Sequence, residues 1–566
     1  MTCFRRPICA LSFFFFVSLL VPGVALAIPA PRPSTTEPSQ TGQHLRIEEE
    51  RPAVGGEPVI TLPEENGGHK TLKGSATFVL KGVEFEHLTV FKAEDLRPDY
   101  AEYIGKPVNF STLSQITSRI TAHYRNAGYI LSRAVLSPQK IEHGIVKIRI
   151  VEGVVNKVRF EGLTHKSTLL EEYAEHIHNA KPLDAATLER YLLLMEDLPG
   201  VEARAVLRPS PDMPGASDVV VNISERHVTG AVTLDNRGTR YMGPVQAGLT
   251  VDVNDVLGLF ERTELRGVSA AEFHEMRFAE IIHEEQIDSD GTKLALSGGY
   301  THTHPDYKLK PFDINGRDKI YSVDVSHPFI RSRQSNLFGD IRFDVRQTDV
   351  ESLGAGLYDD KLRVLRVGGT YDMVDRWAAI NRFETTLSKG FSWDTGSSVG
   401  ARSRTNAQSD FIKGTALVSR LQPIAGPVSL YLSASGQASA NTLMTAEQFG
   451  LGGSSFGSAY DPSELVGDSA VAGRAELQYN RSGDFIYVPN YQFYGFYDGG
   501  VVWNRDAFAG TESQESLTSA GFGVRFNVME PVSGGLEFAL PLTHKVAANG
   551  QDGYGPRVFF SLAYRY

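Results

Sequence analysis

The chain has 566 residues, 41% hydrophobic and 22% charged, which is enough for several domains and too polar for a bundle of membrane-spanning helices. Its formal net charge is −11, and losing the leader described next, which carries Arg5 and Arg6 and no acid, takes it to −13. An acidic chain of this kind argues against nucleic acid as a partner.

The N-terminus places Arg5 and Arg6 before the apolar run Ile8 to Leu20, then ends in Ala25-Leu26-Ala27. Residues 1–27 therefore read as a secretory signal peptide, since the apolar core is too short to span a bilayer and a small-residue cleavage site follows. Cys3 and Cys9 both lie in that leader, so the exported chain has no cysteine for disulfides, thiolate metal sites or nucleophilic catalysis. Residues 28–74 are rich in Pro, Ser, Thr, Gly and Glu and read as a tether with at most a short helix around Gln40 to Arg51.

An internal repeat follows. Val83-Glu84-Phe85-Glu86-His87-Leu88-Thr89 matches Val158-Arg159-Phe160-Glu161-Gly162-Leu163-Thr164, and Lys106-Pro107 matches Lys181-Pro182 at the same spacing. Arg133-Ala134-Val135-Leu136 returns as Arg204-Ala205-Val206-Leu207. Two copies of one small domain, residues 75–152 and 153–226, each predict strand, helix, helix, strand, strand. In the first copy Leu113, Ile116, Ile120 and Tyr124 recur at helical spacing behind a Thr112-x-x-Gln115 capping box.

From residue 227 to 566 the pattern becomes period-two segments separated by Gly, Asn, Asp and Ser. Ile341, Phe343 and Val345 alternate with Arg342, Asp344 and Arg346, so one face is apolar and the other charged. The final segment places Val558, Phe560, Leu562, Tyr564 and Tyr566 on one face and ends on an aromatic residue, the pattern of a barrel with lipid outside and water inside. About 340 residues, at roughly ten per strand with a similar allowance for connections, predict about 16 antiparallel strands. The fold class expected is thus α+β periplasmic domains followed by an all-β transmembrane barrel. Hydrocarbon cannot satisfy an open sheet edge, so the barrel must close around a wet lumen. Two folded domains ahead of it imply that something is handed in, and an exposed sheet edge could take an extended peptide as an added strand.

Several motifs now carry a family resemblance. They are Tyr124-Arg125-x-x-Gly128-Tyr129, Arg133-Ala134-Val135-Leu136-x-Pro138-Gln139, Val151-Glu152-Gly153, Leu234-Asp235-Asn236-Arg237-Gly238 and His327-Pro328-Phe329-Ile330-Arg331. With these, the chain resembles the two-partner secretion transporters, the ShlB/FhaC/HecB haemolysin secretion/activation type of the Omp85 superfamily, over nearly its whole length. The resemblance implies two polypeptide-transport-associated (POTRA) domains and a loop near 450–468 folded into the lumen, with Gly452, Gly453, Phe456, Gly457, Ser458, Tyr460 and Asp461 forming it. It also implies that the loop meets a strand bearing Phe-x-Asp-x-Gly, present as Phe496, Asp498 and Gly500. The family's loop tip carries an arginine where this chain has Ser458, so Asp498 needs another cation, and a hairpin centred near residue 511 nominates Arg525. The resemblance also implies that an N-terminal helix can thread the barrel as a plug, and His44 to Arg51 is the only helix-like piece available for that, with a solvated face of Glu48, Glu49, Glu50 and Arg51 as the other reading.

Two G-x-S-x-G strings, Gly453–Gly457 and Gly396–Gly400, lack the strand and helix that a hydrolase elbow needs. His176 with His178, and His302 with His304, read as surface histidines, not metal ligands, and Gly450-x-Gly452 lacks a dinucleotide-binding unit. The expectation is a non-enzymatic exporter, without cofactor or metal. It would act as a monomer in the outer membrane of a Gram-negative cell, in contact with lipid and with its POTRA domains in the periplasm, capturing an unfolded haemolysin-like or adhesin-like exoprotein and passing it out without ATP. An outer-membrane insertase and a plain porin or receptor are the alternatives.

Overall fold

The computed structural model describes residues 33–46, 60–61, 77–392, 402–483, 487–506, 513–528 and 531–566. The leader, most of the tether and the string Gly396–Gly400 lie outside these residues.

The first repeat packs strands Gly82–Glu86, Arg133–Val135 and Ile145–Val151 against helix Phe110–Asn126. Leu113, Ile116, Ile120 and Tyr124 on that helix bury against Val146, Ile148 and Ile150, which alternate on the sheet's inner face. The helix starts two residues before the expected capping box: Asn109 is its N-cap and accepts from the Thr112 backbone at 3.0 Å. The helix expected ahead of it is instead two short 3-10 turns, Arg97–Asp99 and Ala101–Tyr103, because Pro98 removes a helical donor.

In the second repeat both helices form, Thr168–Asn179 and Ala185–Glu196, over strands Val155–Glu161, Val201–Pro209 and Ser217–Glu225. The repeat extends to its capping chemistry: Asp184 accepts from the Thr187 backbone at 2.8 Å, the counterpart of Asn109 and Thr112. Likewise Glu152, after the last strand of the first copy, accepts from Thr89, and Glu225, ending the second, accepts from Thr164. Ile60–Thr61 adds a short parallel strand to the edge strand Val201–Pro209.

Sixteen antiparallel strands, from Val228–Asp235 to Arg557–Arg565, close into a barrel in the order of the sequence. Alternation sets its two faces: Ile341 is 56% exposed outside while Asp344, three residues on, is 3% exposed inside. The first and last strands close the seam over five residue pairs, Ala231↔Arg565 to Asp235↔Ser561. The strands either side of Ser335–Ser352 pair with it over far greater lengths. No helix among the described residues is long and apolar enough to cross a membrane.

Candidate functional site in the barrel lumen

Between strands Val428–Ser439 and Ser469–Ser482 the chain turns inward, and a small ladder, Phe449–Leu451 with Leu465–Gly467, holds the base of a loop inside the barrel. Two glycines permit its path. Gly452 has φ +121°, with the Asp461 carbonyl 2.3 Å from where a Cβ would lie, and Gly457 has φ +88°, with Leu517 Cδ1 at 2.5 Å. The tip is deeply buried: Ser458, Ala459, Tyr460 and Asp461 are at most 1% exposed.

Barrel-wall side chains hold this tip. Strand Asn490–Trp503 turns Tyr494, Phe496 and Asp498 inward, each 6% exposed or less, and Tyr497 outward. Asp498 accepts from the Ser458 hydroxyl at 2.6 Å, from its backbone at 3.2 Å, and from Ser519. Arg474, on the neighbouring strand, stands 3.1 Å from Asp498 and donates to Ser458 Oγ at 2.6 Å. The same guanidinium pairs with Glu476 at 2.6 Å and lies over the Phe496 ring at 4.5 Å. Gly500 follows on the same strand, where its backbone packs against Val471 and Ala472.

The expected pairing of Arg525 with Asp498 is corrected by the register. Arg525 lies opposite Gln492, while Asp498 lies opposite Ser519, because the hairpin turns earlier than residue 511. Arg525 ion-pairs with Glu476 at 2.6 Å and so extends a chain of alternating charge from Asp498 through Arg474 and Glu476. The cation that the loop lacks is supplied by the wall. Arg474 was legible as one of a period-two set of inward polar residues, Arg474, Glu476 and Gln478, but only the strand pairing brings it to Asp498.

Two further arginines grip the loop from the seam side. Arg237 donates to the Ser458 carbonyl at 3.2 Å and Arg557 to the Ala459 carbonyl at 3.0 Å and the Asp461 carboxylate at 2.7 Å. Both guanidinium groups lie over Phe559, at 4.2 and 4.8 Å. Tyr460 donates to the Thr518 carbonyl at 3.0 Å.

A second segment fills the lumen beside the loop. Helix Pro38–Arg46 lies against strands Lys293–Thr303 and Ile314–Arg331, where Gly42 allows close approach to Thr301. Gln40 donates to the Thr445 carbonyl at 2.6 Å, Arg346 to the Ser39 carbonyl at 3.0 Å, and Arg46 pairs with Glu280 at 2.6 Å. Ser34 donates to the Ser463 carbonyl at 2.7 Å, and the Ser463 hydroxyl donates to Gln40 at 3.0 Å, so helix and loop hold each other. The helix begins earlier than the His44 to Arg51 expectation, as Pro38 suits a first turn, and residues 47–51 lie outside the described residues.

The His327–Arg331 motif faces the periplasmic side. Arg331 makes a two-pronged contact with Asp197, at the end of helix Ala185–Glu196, at 2.6 and 2.7 Å, and Arg190 donates to the Pro328 carbonyl at 3.1 Å.

Comparison with known proteins places this geometry. Residues 78–153 match the ShlB-type POTRA domain, and residues 215–526 match the haemolysin secretion/activation protein ShlB/FhaC/HecB. The chain is 23% identical over 462 residues to the heme/hemopexin transporter protein HuxB of Haemophilus influenzae strain 86-028NP, covering 78% of this chain and 80% of that one. It is 24% identical over 444 residues to the outer membrane transporter CdiB of Dickeya dadantii, covering 75% and 76%. The solved structure of CdiB from Escherichia coli superposes with a TM-score of 0.72 at 20% identity, over 95% of this chain and all of the other, a likeness of fold.

Proposed function

Because this chain belongs to the ShlB/FhaC/HecB haemolysin secretion/activation family, outer-membrane β-barrel transporters with periplasmic POTRA domains that work with a secreted partner, we propose that it exports an unfolded haemolysin-like or adhesin-like exoprotein through its own lumen. The observation that carries this reading is a lumen filled by two segments held through polar contacts: helix Pro38–Arg46 and the loop ending at Ser458. The helix is held mainly by such contacts, which exchange readily for water, whereas the loop also packs Leu451, Phe456 and Tyr460 among the wall residues Phe496, Leu517 and Phe559, so the helix is the segment that leaves at lower cost. The periplasmic domains receive the cargo in extended form, by strand addition at a sheet edge. At the edge strand Val201–Pro209 that cargo would compete with the chain's own Ile60–Thr61.

Transport needs no ATP in this scheme, and folding of the cargo outside pulls it through. The closed barrel acts as a monomer with its exposed aliphatic and aromatic belt in lipid, and Asp498, Ser458 and Arg474 form the latch that sets the resting state.

Co-expression with a large candidate exoprotein drawn from the neighbouring genes tests the reading. Cargo should reach the medium only with the intact chain, and not with a variant lacking residues 76–226. Cargo outside in equal amounts with either chain would remove the periplasmic domains from the mechanism. Cargo never outside, with other barrels failing to assemble when the chain is missing, would replace export by insertion.

A further inference from the structure

The second periplasmic domain meets the barrel at the turn between strands Gln246–Asn254 and Arg262–Ala270. Phe260, on that turn, is 1% exposed within the domain's own core, and the His165 ring packs 5.5 Å from it. Beside this apolar anchor three polar atoms are left over. His165 Nε2, Glu225 Oε1 and Asp255 Oδ2 are buried, and among the described residues none of the three has a hydrogen-bond partner.

The three residues form one cluster, in which each brings a ligand-type atom within 4.8 Å of the other two, and the His165 nitrogen that faces Asp255 is Nδ1, across the ring from the unpartnered Nε2. The Asp255 side chain is only 4% exposed, with Oδ2 3.6 Å from His165 Nδ1. Each carboxylate spends one oxygen on its own orientation and leaves the other turned inward. Asp255 Oδ1 accepts from the Phe260 backbone at 2.9 Å, and Glu225 Oε2 accepts from Thr164 at 2.6 Å. Among the described residues no lysine or arginine is ion-paired with Glu225 or Asp255, so two carboxylates converge with only an imidazole between them. Oriented ligands with anchored outer oxygens are how proteins prepare a metal site.

We propose that His165, Glu225 and Asp255 bind a divalent transition-metal ion, zinc or a cation of like preference, which clasps the second periplasmic domain to the barrel. One imidazole and two carboxylates suit zinc better than magnesium or calcium, which favour all-oxygen shells. Zinc holds such atoms at about 2.0–2.2 Å, hence roughly 3.4 Å apart, so the three side chains close onto the ion by about an ångström. His165 and Glu225 come from the domain and Asp255 from the barrel turn, so the ion binds only the docked arrangement and favours it by linkage. A second cluster, His274, Glu275 and Asp306, is weaker, because Lys310 already holds Asp306 at 2.9 Å and His274 is 59% exposed.

The full chain, purified in detergent without a polyhistidine tag and stripped with chelator, would be titrated with zinc chloride and the bound metal counted after dialysis. One retained zinc per chain is expected, lost in Asp255→Asn and in Glu225→Gln and kept in His274→Ala. Asparagine suits the left-handed backbone of position 255, where φ is +55°. X-ray absorption on the zinc-loaded wild type should show a nitrogen and oxygen shell with a single imidazole, a reading that stands even where a variant fails to fold. No retained zinc, undiminished zinc in both carboxylate variants, or a shell with several imidazoles would overturn the proposal.

Discussion

Asp498 is 1% exposed and yet carries a full set of donors: two hydroxyls, one backbone N–H and one guanidinium. Arg474 is the member with the most to lose, since it also serves Glu476, the Ser458 hydroxyl and the face of Phe496. Arg474→Ala leaves a buried carboxylate without its cation and is expected to cost about 3–5 kcal/mol, read as a lower guanidinium midpoint of the barrel by tryptophan fluorescence. The position of the cation can be tested by moving it. Ser458→Arg alone places two guanidinium groups at one carboxylate and should impair barrel assembly, whereas Ser458→Arg with Arg474→Ser restores one cation to Asp498 and should recover it. Equal assembly of the single and double variants, followed by heat-modifiable mobility on gels, would show that the two positions do not share one role.

At the scale of elements, helix Pro38–Arg46 is too short to be stable alone and owes its form to the wall it lies on. Gln40→Ala removes the side-chain donor to the carbonyls of Thr445 and Gln448, leaving Thr445 its bond from the Gln448 backbone, and should weaken seating by about 1–3 kcal/mol, raising the open probability of single channels in planar bilayers. Deleting residues 34–46 should raise conductance outright, and an unchanged conductance would mean that the loop alone closes the lumen. In the first periplasmic domain, Glu152 binds the backbones of Thr89 and Val90 and the Tyr124 hydroxyl. Burial alone would raise its carboxyl, but the hydrogen bonds from Thr89, Val90 and Tyr124 outweigh it and hold the group below the ordinary glutamate range. A depressed folded-state value means that its stabilising contribution is present above the unfolded-state pKa and is lost as pH falls through the folded one. Glu152→Gln should therefore lower the exchange protection of the Thr89 and Val90 amides at neutral pH, with the difference from wild type shrinking in acid.

Across the whole molecule, the proposed export scheme puts cargo capture and lumen opening in different bodies, which need a mechanical link. Arg331 on the barrel and Asp197 on the second domain supply one, at 2.6 and 2.7 Å and with the arginine 9% exposed. Breaking this charge-assisted pair by Arg331→Ala should cost about 1.5–3 kcal/mol of docking. It should broaden the distance distribution between spin labels placed on helix Thr168–Asn179 and on the barrel rim. An unbroadened distribution with normal secretion would leave Phe260 as the sufficient anchor.

The export leader is read from residues outside the described structure. The sixteen-strand barrel and the first domain's apolar core were legible in the sequence because each follows from local periodicity: a strand alternates every two residues whatever its neighbours are, and a helical stripe recurs at three and four. Phe496 and Asp498 could be placed on one inward face for the same reason. The partner of Asp498 was not legible, because a register error of a few residues in one hairpin replaces Ser519 with Arg525 while leaving every side chain on its expected face. The 3-10 turns around Pro98, the early start of the helix in the lumen, and the meeting of His165 and Glu225 with Asp255 likewise depend on packing between segments far apart in the chain. Local pattern therefore determines which face each residue takes, and only tertiary structure decides which residue it meets, because registers and domain contacts are fixed by the sum of many pairings that no single segment contains.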